Sequence, residues 1–173
     1  METSENSIVS STENVARILS SDWIVDGEIQ HTAFMLKPDE TYISVNRPAI
    51  DTFDNDVASF ISSHSNYCVS GTNDTYRAAV LNVGDIRAID VEHEGKVIDI
   101  DVEVEPRDIH TKSHAGIFTR FHSENIKNGK ILKYGPTAEN ISADMVLLDV
   151  RYQLLSLSTL EQRKLVVDSK ANR

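Results

Sequence analysis

The sequence predicts an α+β protein in which a mainly antiparallel sheet of about five to seven strands carries two or three packed helices. Three patterns support this. From Ile98 to Glu105 apolar and acidic residues alternate strictly. In a strand that places Ile98, Ile100, Val102 and Val104 on one face and Asp99, Asp101, Glu103 and Glu105 on the other. Ile50, Phe53, Val57, Phe60 and Ile61 recur at helical spacing. The middle of the chain holds short β-prone runs between turn signals, without the regular strand–helix alternation of a parallel sheet.

Residues 1–11 are polar and serine-rich, which suits a flexible segment. Thr12 can cap a short helix with Glu13 in its first turn and Val15, Ile18 and Leu19 as its apolar face. Trp23-Ile24-Val25 is a short apolar run closed by the turn signal Asp26-Gly27. His31–Leu36 and Tyr42–Val45 flank Lys37-Pro38-Asp39-Glu40, which predicts a hairpin. Pro48 suits the first turn of the helix carrying Ile50 to Ile61. Asp51, Asp54 and Asp56 crowd its N-terminal half, where the helix dipole favours anions.

Ser70–Asp74 reads as a loop and Tyr76–Val83 as a strand turned by Gly84-Asp85. Ile86–Val91 and Val97–Glu105 predict a hairpin that Pro106 ends, because proline cannot donate to a ladder. Ala115–Phe121 reads as another strand, and Asn128-Gly129 as a turn before Ile131-Leu132. Beyond Gly135-Pro136, Thr137 or Ser142 can cap a longer helix with two apolar stripes. One is Ile141, Met145, Leu148, Tyr152 and Leu155; the other is Val146, Val150, Leu154 and Leu157. A helix apolar on two stripes is mostly buried or lies in an oligomer interface. Met145–Val150 also reads as a buried strand, since periodicity does not separate the two over so short a run. This helix and the earlier one are expected on one face of the sheet. The core is expected to include Trp23, Phe34, Phe53, Val57, Phe60, Met145, Leu148 and Tyr152. One domain over residues 12–160, followed by a C-terminal tail at 161–173, is the simplest organisation.

Composition excludes more than it assigns. With 27 acids against 17 bases the formal net charge is −10. That average field repels phosphate backbones, and no run of Lys or Arg offsets it, so no direct nucleic-acid partner is expected. The single cysteine, Cys68, cannot close an internal disulfide, which suits a reducing cytoplasm. The first residues lack the basic and apolar regions of a signal peptide, and no apolar window is long enough for a membrane span. Neither a Walker loop, a Gly-rich dinucleotide turn, a Gly-x-Ser-x-Gly elbow nor paired Cys-x-x-Cys is present. His31-Thr32 lacks the His-x-Thr spacing of two-histidine phosphoesterases and has no second copy.

Three sets of residues remain as candidate sites. His110, His114 and His122, with a carboxylate from Asp108 or Glu124, are candidate ligands for a divalent metal. Arg47, just before a helix start, is a candidate anion site. The carboxylates of Asp99, Asp101, Glu103 and Glu105 are a candidate surface for a basic partner. Otherwise no cofactor is expected.

The leading functional expectation is a non-enzymatic, soluble cytoplasmic module that binds another protein or forms a homo-oligomer, with an acidic sheet face. Two alternatives stand beside it. One is a metal- or anion-dependent enzyme acting on a small phosphorylated or nucleotide substrate. The other is an acidic nucleic-acid mimic that occupies the basic groove of a DNA-binding protein. A continuous single-sign surface is the premise of the mimic.

Overall fold

The computed structural model describes residues 8–37, 40–93, 95–107, 111–121, 126–127, 130–132 and 140–166. In chain order the first elements are β1 (Asn14–Ile18), β2 (Ile24–Val25), β3 (Glu28–Ile29), β4 (Ile43–Asn46) and α1 (Phe53–Ser62). Next come β5 (Thr75–Asn82), α2 (Val83–Arg87), β6 (Glu92–His93), β7 (Lys96–Val97), β8 (Ile100–Pro106) and β9 (His114–Phe121). The chain continues through β10 (Ile126–Lys127), β11 (Lys130–Leu132), β12 (Asn140–Ser142), α3 (Ala143–Leu157) and β13 (Thr159–Lys164). Six strands form one antiparallel sheet in the order β13-β5-β1-β4-β9-β8. The α+β class with a mainly antiparallel sheet is therefore present.

Alternation along the strands gives this sheet two apolar faces. Val15, Ala79, Leu81, Val45, Val102, Val104 and Ile117 belong to one core, which also holds Val146, Val150 and Leu154 of α3. Ala16, Ile18, Tyr76 and Ala78 belong to a second core, with Phe53, Val57 and Ile61 of α1. The two long helices thus cover opposite faces, not the single face expected. β1 and β5 lie under both and bury residues on both sides.

Two-sided burial also explains why residues 12–19 form no helix. Val15, Ala16, Ile18 and Leu19 are all buried, and β1 pairs with β5 through Val15↔Leu81 and Ala16↔Val80. A short apolar run mimics a helical face and satisfies a buried strand equally well. The one polar residue within it, Arg17, donates from Nε to the Ala33 carbonyl (3.0 Å) and from Nη1 to the Ser44 carbonyl (2.9 Å). Its guanidinium lies 4.7 Å from the Trp23 ring centroid. Burial lowers its pKa.

The expected hairpin over residues 31–45 is replaced. His31–Phe34 is a 3-10 turn, and β4 pairs with β1 and β9. The Asp26-Gly27 turn is real: both residues have positive φ, 52° and 77°, and they join β2 to β3 as a two-residue hairpin. Gly84-Asp85 does not turn a strand but lies in α2, where the Asn82 side chain caps the Asp85 amide at 3.0 Å. In place of the expected 86–105 hairpin, β6 pairs with β7 and β8 with β9. β10 and β11 flank Asn128-Gly129, which lies outside the described residues. Residues 159–164 pair with β5 as an edge strand, so the tail boundary placed at residue 161 falls inside a strand.

Candidate functional site

Arg47 follows β4 directly and is only 2 % exposed. Its Nε and Nη2 donate to the two carboxylate oxygens of Glu13, each at 2.9 Å, and Nη2 also donates to the Ile8 carbonyl at 3.1 Å. This bidentate geometry is the strong form of a guanidinium–carboxylate contact. The anion at this candidate site is therefore the protein's own side chain. Burial pushes the Glu13 carboxyl upward. The hydrogen bonds from Arg47 and the Ser10 amide, with the charges of Arg47 and Arg87, outweigh that and hold it below the usual range.

Of the three candidate metal-binding histidines, His110 and His122 lie outside the described residues, as do Asp108 and Glu124. His114 opens β9, with Nε2 3.2 Å from the Ser44 hydroxyl and its ring 5.9 Å from Tyr42. Among the described residues no three His, Cys, Asp or Glu side chains stand close enough to hold a metal ion.

The acidic ladder occupies β8, an edge strand of the sheet, and its approach. Ile98, Val102 and Val104 are buried as the alternation requires. The opposite face carries mixed charge. Glu105 forms a bidentate ion pair with Arg120, which pairs across the ladder with Asp101. The hydrogen bond from Arg120 holds the Glu105 carboxyl below its ordinary pKa. Glu103 pairs with Arg87, and its Oε1 accepts from the Val104 amide at 2.9 Å. Arg87 Nη2 in turn donates to the Val104 carbonyl at 3.2 Å. These two side chains satisfy both outward backbone groups of Val104 and so blunt an edge that would otherwise template another strand. Asp99 and Asp101 stay exposed. Arg107 stacks near Tyr42 and Phe118, at 5.0 and 5.9 Å. The single-sign patch needed by a nucleic-acid mimic is interrupted by Arg87, Arg107 and Arg120.

The longer helix shows a feature that its sequence left ambiguous. Most of one stripe is buried and most of the other exposed, the exceptions being Leu157, which is 36 % exposed, and Leu155, which packs against the core. Val146, Val150 and Leu154 are 0 %, 2 % and 0 % exposed, whereas Met145, Leu148 and Tyr152 are 57 %, 40 % and 49 % exposed. These last three were expected in the core, and Phe60 of α1 also lies partly outside it. The spacing of Met145, Leu148 and Tyr152 aligns them along one outward face of α3. Single exposed apolar residues are ordinary, but a contiguous row is not.

A recess of about 140 Å³ lies beside this row. Phe34, Ile43, Leu147 and Val150 supply apolar lining, while Asp144 and Arg151 bring opposite charges. Arg151 Nη1 lies 3.2 Å from His31 Nδ1, and the His31 ring stacks on Tyr152 at 4.9 Å. An arginine can only donate, so Nδ1 accepts and the ring proton of His31 sits on Nε2. Sequence reasoning missed this constellation because its members come from separate segments of the chain. The stripe of Met145, Leu148 and Tyr152 was its only advance signal.

The protein is therefore of a mixed α+β class, with a six-stranded antiparallel sheet covered on both faces. Comparison with protein-family models, with curated proteins and with solved structures gives no match. No helix of the described residues is long and apolar enough to cross a membrane.

Proposed function

We propose that this chain is a non-enzymatic protein-interaction module whose binding surface is the outward face of α3. The carrying observation is the exposed row of Met145, Leu148 and Tyr152 on a helix already anchored in the core by Val146, Val150 and Leu154. Such a row is costly to leave in water and has the anchor spacing by which helices enter protein interfaces. The adjacent recess, with an apolar lining and two opposite charges, matches the anatomy of an interface core and its rim. The acidic face is the weaker support, since Glu103 and Glu105 are engaged by Arg87 and Arg120. The enzyme alternative has only Nη1 of Arg47 left to it, because Nε and Nη2 are engaged by Glu13.

Photo-crosslinking residues placed singly at Leu148 and Tyr152, with a control at exposed Val25, test the reading. Adducts at the two α3 positions that vanish when Leu148→Glu is added, with circular dichroism unchanged, are the expected result. Adduct yields no higher than at Val25 would refute it.

A further inference from the structure

Resting on that reading, we infer that the recess beside the α3 row receives the C-terminal residue of a partner chain, with its apolar side chain inside the recess and its α-carboxylate on Arg151. Phe34, Ile43, Leu147 and Val150 supply the apolar wall. The enclosed space, about 140 Å³, matches one large side chain, since a dry cavity of about 150 Å³ holds a single benzene ring. Arg151 lines the same recess. Among the described residues no carboxylate pairs with it, and its one hydrogen bond runs from Nη1 to His31 Nδ1. The neutral imidazole fixes the direction of the guanidinium without cancelling its charge, and it leaves Nε and Nη2 to donate elsewhere. Two parallel N–H groups of a guanidinium are the natural partner of a carboxylate.

A recess this small selects how the acid is attached. In a C-terminal residue the carboxylate and the side chain leave one Cα, so both arrive together. An internal aspartate or glutamate carries its acid on a second side chain, for which the space has no room. A free small acid would fill the recess equally well but would leave Met145, Leu148 and Tyr152 in water. A chain that continues from the bound residue covers that row, and its apolar contacts there add affinity. Asp144 also lines the recess, but it stands about 10 Å along α3 from Arg151 and is engaged within the chain. The two charges therefore mark different ends of the recess, and the carboxylate belongs at the Arg151 end. A contact anchored by one residue is weak and reversible, with a dissociation constant on the order of 100 µM.

Fluorescence anisotropy tests this with labelled hexapeptides that share one body and end in leucine, phenylalanine, valine or serine, each titrated with the full chain. The expected result is saturable binding of at least one apolar ending, with a dissociation constant below about 1 mM. The serine ending should bind at least about tenfold more weakly, because it buries no apolar group. The best peptide remade as a C-terminal amide should also lose about tenfold or more, because it gives Arg151 no charge to meet. In Arg151→Gln the acid and the amide should bind alike, at the affinity of the amide for wild type, whereas a merely misfolded variant would bind neither. Leu147→Trp, which fills the recess and keeps Arg151, should abolish binding of both with circular dichroism unchanged. Acid and amide bound equally by wild type, acid binding indifferent to Arg151→Gln, or no peptide bound below about 1 mM would each overturn the inference. So would isocaproate that displaces the leucine peptide at the peptide's own concentration, which would assign the recess to free small acids. Failure of every peptide defeats only this inference; the interaction-surface reading fails separately, if the α3 crosslinkers capture nothing above the Val25 control.

Discussion

Truncating one leucine from each stripe of α3 distinguishes them energetically. Leu154 is 0 % exposed within the larger core, and Leu148 is 40 % exposed. Leucine to alanine removes three carbons, worth about 0.8 kcal/mol each when fully buried. At Leu154 the whole of that transfer term is lost, about 2.4 kcal/mol, and an unfilled cavity raises the cost to about 3–4 kcal/mol. At Leu148 little more than half of the side chain is shielded and water fills the gap, so the cost is about 1–1.5 kcal/mol. The expected gap of about 2 kcal/mol is large beside a total stability of about 5–15 kcal/mol. Urea unfolding of Leu154→Ala and Leu148→Ala measures it through the shift in midpoint at constant slope. Equal losses, or a larger loss at Leu148, would show that the outward stripe has been misassigned and would remove the basis for the interaction surface.

Further tests address the rest of the structure. Glu13→Gln strips the buried Arg47 of its charge partner and should cost about 3 kcal/mol near neutrality. Because the folded pKa of Glu13 lies below its unfolded value, this stabilisation is complete above the unfolded value and drains away as pH falls through the folded one. The gap between wild type and Glu13→Gln in urea unfolding should therefore begin to narrow below about pH 4.3 and vanish only below the folded pKa of Glu13, and a gap that does not narrow as the pH falls would contradict the ion-pair account. Gly116→Ala should destabilise by about 1–3 kcal/mol, because its Cβ would come within 2.6 Å of the Tyr42 ring; thermal unfolding reads this, and an unchanged midpoint would mean that Tyr42 does not pack there. Arg87→Ala should cost only about 1 kcal/mol or less, since its ion pair is partly exposed. It should nevertheless speed aggregation in light scattering by opening the β8 edge at Val104, and unchanged aggregation would deny that edge-blunting role.

The fold was legible where burial is one-sided. Ile98, Val102 and Val104 alternate with acids because β8 has one apolar face, and Phe53, Val57 and Ile61 mark a helix with one buried stripe. It was illegible where both sides are apolar. In and just after β1 the run from Val15 to Leu19 serves two cores, so no alternation survives to separate strand from helix. On α3 the periodicity defines the angle between the stripes but not which one meets the sheet. The Glu13–Arg47 pair joins residues 34 apart and leaves no local signal. The recess likewise draws Phe34, Ile43, Thr119 and Arg151 together from segments distant in sequence.

Covalent footprinting of Met145 and Tyr152 in the purified chain tests the central claim, an outward apolar row on α3, most directly. The account expects Tyr152 to label far faster than the buried Tyr76, and Met145 to label readily beside it. Tyr152 labelling no faster than Tyr76 would contradict it.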